Sequence, residues 1–175
     1  MKPINPKKSL GQNFLTDKNI INIIVDQANI SKNDIVLEVG PGTGSLTEAI
    51  LLKNPKKIFA IEKDKDLSKN LRKKVKEKLY IINSDILKFD EKKLSNQPII
   101  VFGNLPYNIS TQILVKWIKL IDLNKTFKKL ILMFQKEVAE RILATTNQKN
   151  YGRLAVLSSW RMNVKKVTEV SPNCF

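Results

Sequence analysis

An apolar run near the start of the chain ends in a glycine-rich turn, and a helical pattern follows it. The run covers residues 35–39, the turn reads GPGTG over residues 40–44, and the helical pattern covers residues 45–53. Glycine adopts positive φ without strain and lets the backbone approach a ligand closely. In an open α/β sheet, a loop of this kind after the first strand is the usual nucleotide-binding point. The segment therefore predicts a parallel sheet with a cofactor loop at its edge.

Short apolar runs recur along the rest of the chain, and helical patterns separate them. The predicted strands are residues 35–39, 57–62, 79–83, 99–103 and 130–134, with a further strand at 164–170. The predicted helices are residues 17–29, 45–53, 66–78, 110–121 and 137–143, and Thr16 is the expected N-cap of the first. Alternating elements predict an α/β fold, a mostly parallel sheet with helices on both faces.

Composition excludes several kinds of catalytic centre. Among 175 residues there is no His and a single Cys, Cys174. This excludes Ser-His-Asp and Cys-His catalysis, His-ligated metals and thiolate zinc clusters, so we expect no metal site. The apolar runs are too short to span a bilayer and the first residues lack an apolar signal core. We therefore expect one cytoplasmic domain without a membrane partner.

The chain is strongly basic. Lys and Arg number 31 against 16 Asp and Glu, which gives a formal net charge of +15. Such a charge attracts nucleic acid or another polyanion, whereas abundant Lys, Asn and Ile also fit a codon bias that needs no partner. Charge alone leaves both interpretations open. The candidate phosphate contacts are Lys69, Arg72, Lys73 and Lys76 on one helix, with Lys53, Lys56 and Lys57 nearby.

Acidic residues follow the second and third predicted strands. Glu62 ends the second strand, where a carboxylate can accept both ribose hydroxyls, and Asp85 follows the third, where it can accept from an adenine amine. The turn reads acidic-x-G-x-G-x-G, which resembles the first motif of S-adenosylmethionine-dependent methyltransferases. The dinucleotide fingerprint G-x-G-x-x-G differs, which disfavours a nicotinamide-dependent oxidoreductase. For each feature alone, a tight turn or a solvated acid is the simpler interpretation.

The sequence Asn104-Leu105-Pro106-Tyr107 follows the fourth strand at the same edge. An exocyclic adenine amine is a poor nucleophile, and acceptors aimed at its hydrogens turn its lone pair toward a methyl donor. The Asn104 side-chain oxygen and the Leu105 carbonyl can be those acceptors. Pro106 stiffens the loop, and Tyr107 offers a face on which an extruded base can stack. The alternative is an Asx-type turn with a buried tyrosine.

Together these motifs resemble the rRNA adenine N6,N6-dimethyltransferase family, the kasugamycin-sensitivity enzymes of bacteria. The matching segments are KSLGQNFL at 8–15, the glycine loop, GNLPYNIST at 103–111, QKEV at 135–138 and YGRL at 151–154. The resemblance implies a Rossmann-like class I methyltransferase that uses S-adenosyl-L-methionine. It further implies dimethylation of two adjacent adenosines near the 3′ end of small-subunit rRNA, within an immature ribosomal subunit, by a monomeric protein.

The resemblance also implies roles for individual residues. Segment 1–15 is expected to cover the cofactor. The implied cofactor contacts are Gln12, Asn13, Leu15, Gly40, Gly42, Gly44, Glu62, Asp85 and Asn104. The implied catalytic residues are Asn104, Leu105, Pro106, Tyr107 and Phe175, the last stacking on the target base opposite Tyr107.

Family members continue past the equivalent of Phe175 into a proline-rich segment, a last strand and a small helical domain. We therefore expect residues 1–175 to be a catalytic domain truncated at its C-terminus, with an exposed edge near residues 164–170. Two alternative functions stay open. One is the large-subunit rRNA methylation of the macrolide-resistance enzymes, which share these motifs. The other is an RNA-binding assembly factor in which methylation is secondary.

Overall fold

One sheet of five parallel strands forms the centre of the computed structural model, which describes Lys7 and residues 11–73, 77–120 and 122–175. The strands are β1 (Ile35–Val39), β2 (Lys57–Glu62), β3 (Leu79–Asn83), β4 (Ile99–Asn104) and β5 (Phe127–Met133). Their order across the sheet is β3-β2-β1-β4-β5. The predicted fold class is confirmed, and each of the first five predicted strands is present within a few residues of its expected bounds.

Helices precede, connect and follow the strands along the chain, except that a single 3-10 turn, Glu91–Lys93, lies between β3 and β4. The helices are α1 (Lys18–Asp26), α2 (Ser45–Leu52), α3 (Lys65–Lys73), α4 (Ser110–Ile118), α5 (Leu123–Thr126), α6 (Lys136–Leu143) and α7 (Arg153–Arg161). The predicted ends of the third and fourth helices involve residues 74–76 and 121, which lie outside the described residues, as does the candidate phosphate contact Lys76. Within the described ranges, no helix is both long and apolar enough to cross a membrane.

The two faces of the sheet are buried by different helices. On one face, Val36 packs with Ile24 of α1 and Ile50 of α2. On the other, Leu37 packs with Ile113 and Trp117 of α4. Successive strand residues point to opposite faces, and β1 is buried along its whole length, so it is apolar at almost every position. Glu38 is the exception, and it lies next to the carboxyl end of the strand.

The strand order reverses between β1 and β4. The chain runs outward from β1 to β2 and β3, then returns to place β4 on the other side of β1. At such a switch point the connections after the two strands diverge and leave a crevice at the carboxyl edge. The glycine loop and the Asn104–Tyr107 loop both begin at this crevice.

The first helix begins differently from its prediction. Asp17, not Thr16, is the N-cap of α1, because the Asp17 carboxylate accepts from the Ile20 N–H at 3.0 Å. The Thr16 hydroxyl instead donates to the Cys174 carbonyl at 3.1 Å. The capping oxygen is therefore one residue later than expected, and Thr16 joins the first helix to the last turn of the described chain.

The predicted strand at 164–170 is wrong: the structure has no strand there. A strand requires a backbone partner at about 4.8 Å, and β5 is the neighbouring edge of the sheet. A cleft of about 1620 Å³ is lined by β5 on one side and by residues 161–172 on the other. Residues 164–170 form no ladder with a neighbouring backbone, and Val167 is left 41% exposed.

A buried charge cluster joins the segment after β3 to α4. The Lys116 ammonium donates to the carbonyls of Ile86 at 2.7 Å and Phe89 at 2.5 Å, and to the Glu91 carboxylate at 2.7 Å. The Trp117 indole N–H donates to the same carboxylate oxygen at 2.6 Å. Only 2% of the Glu91 side chain is exposed. The cluster therefore fixes the segment that follows Asp85 against the helix that follows the Asn104 loop.

Candidate functional site

The glycine loop follows β1 with a backbone that only glycine accommodates easily. Gly42 has φ +57°, and a Cβ placed there would lie 2.8 Å from a ring carbon of Phe14. Gly44 has φ +94°, and its Cβ would lie 2.9 Å from a methyl carbon of Leu71. At both positions a side chain is disfavoured for two reasons, the positive φ and the close contact with a neighbouring side chain. The loop is thereby pressed between the N-terminal segment and α3.

We predict that Gly42→Ala weakens cofactor binding by about tenfold or more. The alanine would have to adopt a left-handed backbone conformation and its Cβ would overlap Phe14, so the loop would have to move. Gly152→Ala is the matched control, since a Cβ at Gly152 meets no atom within 4 Å. Calorimetric titration with S-adenosylmethionine, the cofactor that the sequence resemblance implies, measures both dissociation constants. Equal affinities for the two variants would contradict this account of the loop.

Glu62 ends β2 beside the loop. Its carboxylate accepts from the Gly42 N–H at 3.2 Å and from the Asp64 N–H at 2.9 Å. Burial raises the pKa of Glu62 above its ordinary value. The two backbone donors hold the carboxylate at the mouth of the crevice, where its remaining lone pairs can accept the hydroxyls of a ribose.

Glu38 lies beneath the loop and is 1% exposed. The Thr47 hydroxyl donates to its carboxylate at 2.6 Å. Burial raises the pKa of Glu38 from 4.5 to about 7, with a further increase from the nearby Glu62 charge. The acid that precedes the glycines therefore keeps its proton at a higher pH than an ordinary glutamate does.

This raised pKa predicts a pH-dependent stability. Between pH 4.5 and about 7 the folded chain binds the Glu38 proton more tightly than the unfolded chain does, so the free energy of unfolding falls as pH rises. A shift of this size corresponds to about 3 kcal/mol. Glu38→Gln keeps an acceptor for Thr47 and removes the titration. Urea unfolding across this range should show a shallower pH dependence for the variant, and parallel curves would contradict the assignment.

Asp85 follows β3 and is oriented by two contacts. One carboxylate oxygen accepts from the Leu87 N–H at 3.0 Å, and the other lies 2.9 Å from the Lys63 ammonium. The Lys63 hydrogen bond lowers the pKa of Asp85. At neutral pH this residue is therefore an ionised acceptor on the β3 side of the crevice.

The loop after β4 is fixed from below. Leu105 is 1% exposed, and the Pro106 carbonyl accepts from the N–H groups of Ile109 and Ser110, which starts α4. Tyr107 is half-buried above it. Packing and helix initiation thus hold Asn104 and Tyr107 at the rim of the crevice.

The N-terminal strap, which we define as Lys7 and residues 11–16, crosses the strand ends. On the β2 side, the Gln12 amide donates to Asp64 at 3.3 Å. In the middle, Phe14 lies against Gly42. On the β4 side, the Asn104 amide N–H donates to the Asn13 carbonyl at 2.7 Å, and the Asn13 amide N–H donates to the Tyr107 hydroxyl at 3.3 Å. The strap therefore connects the two sides of the crevice.

The structure brings most of the predicted site residues to one edge. Those at this edge are Gln12, Asn13, Gly40, Gly42, Gly44, Glu62, Asp85, Asn104, Leu105, Pro106 and Tyr107. The Leu15 side chain lies instead in the core beside Ile21 and Ile24 of α1. Phe175 lines the same cleft as Asn104 and Tyr107 and packs against the core.

Several contributing residues were not singled out from the sequence. Lys63 and Phe14 act through partners far away in the chain, and Lys7 is one of 31 basic residues, so no local pattern marks these three. Asp64 does carry a signal, because an acid one residue before the start of a helix is a typical N-cap.

The polar groups of the crevice fit a nucleoside cofactor without a phosphate. Glu62 and Asp85 contribute carboxylates, and the glycine loop offers backbone groups without side chains. These two carboxylates can accept hydrogen bonds from ribose hydroxyls and an adenine amine, whereas they would repel the negative charge of a pyrophosphate. Among the described residues, no cluster of three or more metal-binding side chains is present.

Known proteins resemble this chain over almost its whole length. The family described as "Ribosomal RNA adenine dimethylase" matches residues 4–175. Proteins named ribosomal RNA small subunit methyltransferase A are 53% identical in Pelagibacter ubique and 46% identical in Wolbachia pipientis, each over 98% of this chain. The chain spans 65% and 60% of the length of these two relatives.

Solved structures show the same architecture. A dimethyladenosine transferase from Plasmodium falciparum superposes with a TM-score of 0.82 and 33% identity, covering 93% of this chain and 58% of that one. The 23S rRNA methyltransferase ErmE gives a TM-score of 0.69 and 27% identity, covering 85% of this chain and 57% of that one.

Proposed function

Because the chain belongs to the ribosomal RNA adenine dimethylase family, we propose that it transfers methyl groups from S-adenosylmethionine to the N6 amines of two adjacent adenosines near the 3′ end of small-subunit rRNA. The observation that carries this function is the meeting of the glycine loop and the Asn104 loop. A Cβ on Gly40 would lie only 3.5 Å from the Asn104 carbonyl oxygen. A cofactor held by the one loop is therefore adjacent to a base held by the other.

The residues that would hold the cofactor divide by chemistry. Glu62 accepts ribose hydroxyls, Asp85 accepts the adenine amine, and the glycine loop with Asn13 surrounds the remainder. Bound S-adenosylmethionine supplies an electrophilic methyl group on a sulfonium. The carboxylates on this side of the crevice also favour a cationic ligand electrostatically.

The Asn104 loop prepares the nucleophile. The Asn104 side-chain oxygen and the Leu105 carbonyl accept the two amine hydrogens and so aim the nitrogen lone pair at the methyl group. They also stabilise the positive charge that develops on nitrogen. Tyr107 stacks on the extruded base, whose removal from its neighbours costs a few kcal/mol, less when the RNA is single-stranded. The displaced proton leaves to water, so no histidine is needed.

The second transfer uses the same pocket under a different constraint. After one methylation a single amine hydrogen remains, so Asn104 and Leu105 cannot both accept from the amine. The monomethyl amine must rotate within the loop before it reacts. Phe175 lines the adjoining cleft and can contact the base from the side opposite Tyr107.

The partner that we propose is rRNA within an immature small subunit, bound by a monomer in the cytoplasm. The net charge of +15 supports an RNA partner. Of the basic candidates, Lys53 is paired with Asp26 at 2.6 Å and Arg72 donates to the Ile81 carbonyl at 3.3 Å, whereas Lys69 and Lys73 are exposed. RNA affinity should therefore fall steeply with salt.

Labelled S-adenosylmethionine tests this function when small-subunit and large-subunit RNA are offered separately. We expect label on small-subunit RNA. Label on large-subunit RNA alone would move the assignment to the macrolide-resistance type. The structural likeness to the 23S rRNA methyltransferase ErmE is weaker than the likeness to the dimethyladenosine transferase. RNA binding without label on either would favour an assembly factor. Calorimetry with a nicotinamide dinucleotide in place of S-adenosylmethionine should detect no tight binding, and the reverse result would indicate an oxidoreductase.

A further inference from the structure

Lys7 is the outermost described residue of the N-terminal strap, and it reaches two carboxylates. Its ammonium lies 2.8 Å from Asp64 and 3.1 Å from Asp66. Hydrogen bonds to these two acids raise the pKa of Lys7. The Lys7 backbone N–H also donates to the Gln12 side chain at 2.8 Å, so the two residues approach Asp64 together.

Asp64 is a rigid anchor for this contact. Its side chain is 2% exposed, and one carboxylate oxygen accepts from the N–H groups of Asp66 at 2.8 Å and Leu67 at 3.2 Å, which caps α3. The other oxygen accepts from Lys7 and Gln12. Burial acts to raise the pKa of Asp64, but the Lys7 hydrogen bond and the backbone donors outweigh it and lower the pKa. Asp64 is thus an ionised residue: one of its carboxylate oxygens caps α3, and the other binds the strap.

At its other side, the strap contacts the proposed catalytic amide. The Asn104 nitrogen donates to the Asn13 backbone carbonyl at 2.7 Å. A primary amide has a donor side and an acceptor side, and it can rotate to exchange them. With the nitrogen committed to the strap, the side-chain oxygen is the atom that remains to accept a hydrogen of the target amine. In the opposite orientation, nitrogen would face nitrogen and the amine would lose an acceptor.

We propose that the strap is a positioning device for methyl transfer, in which the Lys7–Asp64–Asp66 clasp holds the Asn13 carbonyl where it sets the orientation of the Asn104 amide. This role rests on the proposed function, because it assigns Asn104 as the acceptor of the target amine. In this role Lys7 contacts neither the cofactor nor the target base, and it acts only through the strap.

The expected effect of the clasp is modest. Lys7 is about half-exposed, with 49% of its side chain accessible. Ion pairs of this exposure change an equilibrium by about fivefold at most, and salt weakens them. Losing the clasp should therefore loosen the strap without unfolding the chain.

Lys7→Gln tests the clasp, with Lys65→Gln as the charge-matched control on an exposed lysine of α3. We expect the Asn104 side-chain amide hydrogens to exchange with solvent about three- to fivefold faster in Lys7→Gln. Their signals are assigned by their absence from the spectrum of Asn104→Asp. Methyl transfer should show a similar fall in kcat with the KM for RNA unchanged. Lys7→Arg should restore both, and Lys65→Gln should match the unaltered chain.

Equal amide exchange in Lys7→Gln and Lys65→Gln would overturn the proposed clasp, as would a change in KM alone. The exchange measurement requires no RNA and no turnover. If the unaltered chain methylates no RNA while the Asn104 hydrogens still lose protection in Lys7→Gln, the proposed function fails and the clasp stands.

Discussion

Replacing Asn104 with alanine is expected to lower the rate of methyl transfer by about 100- to 1000-fold, the usual cost of removing one preorganised hydrogen-bonding group that stabilises developing charge. Asn104 provides the side-chain oxygen that we assign as acceptor of an amine hydrogen in the four-residue loop, and the Tyr107 hydroxyl accepts from the Asn13 side-chain amide. The change removes an acceptor whose benefit is realised only as the nitrogen becomes positive, so kcat should fall far more than RNA affinity.

Asn70→Ala is the matched control, because Asn70 is an exposed amide on α3. Single-turnover assays with labelled cofactor give the rate for each variant, and filter binding gives the RNA affinity. A decline of less than tenfold in Asn104→Ala would remove Asn104 from the mechanism. Loss of RNA binding in parallel with transfer would indicate that the loop recognises RNA instead of activating the amine.

Replacing Lys116 with methionine is expected to lower the free energy of unfolding by about 3 to 5 kcal/mol, because it leaves the Glu91 carboxylate buried without its counter-ion. Methionine preserves much of the side-chain volume, so lost packing contributes little. Domains of this size are stable by about 5–15 kcal/mol, so the change removes a large part of the total. The Ile86 and Phe89 carbonyls lose a donor in the same variant. Since Asp85 directly precedes this segment, cofactor affinity should fall as well.

Urea unfolding measures this effect, with Lys119→Met as the control at an exposed lysine just after α4. The control should lie within about 0.5 kcal/mol of the unaltered chain. Adding Glu91→Gln to Lys116→Met removes the uncompensated charge and keeps an acceptor for Trp117, so part of the stability should return. Equal losses in Lys116→Met and Lys119→Met would contradict the described cluster.

The regular elements of the fold follow from local patterns. The strands around Val36 and Ile100 are apolar on both faces, so the sequence predicts buried parallel strands. The glycine loop and the acids after β2 and β3 are also local, and they are sufficient to locate the crevice. The start of α1 was predicted one residue too early because both Thr16 and Asp17 are suitable N-caps, and only the folded geometry decides between them.

Other features depend on contacts between distant parts of the chain. The apolar pattern at 164–170 predicts a strand, but pairing requires a neighbouring edge within reach, and a cleft separates this segment from β5. Lys7 meets Asp66 across 59 residues, and Lys128 meets Asp34 across 94. A lysine carries no sequence mark that distinguishes a clasp from a solvated charge, so the strap contacts become visible only in three dimensions.

Mass analysis of the nucleosides and of the nuclease fragments of small-subunit RNA, after incubation with the chain and S-adenosylmethionine, tests the central claim most directly. We predict N6,N6-dimethyladenosine at two adjacent positions near the 3′ end, with monomethyladenosine as a transient species, and far less of either product with Asn104→Ala over the same time. Normal cofactor binding without methylated adenosine, or methylation of a different base, would contradict the assignment of this crevice to adenine N6 dimethylation.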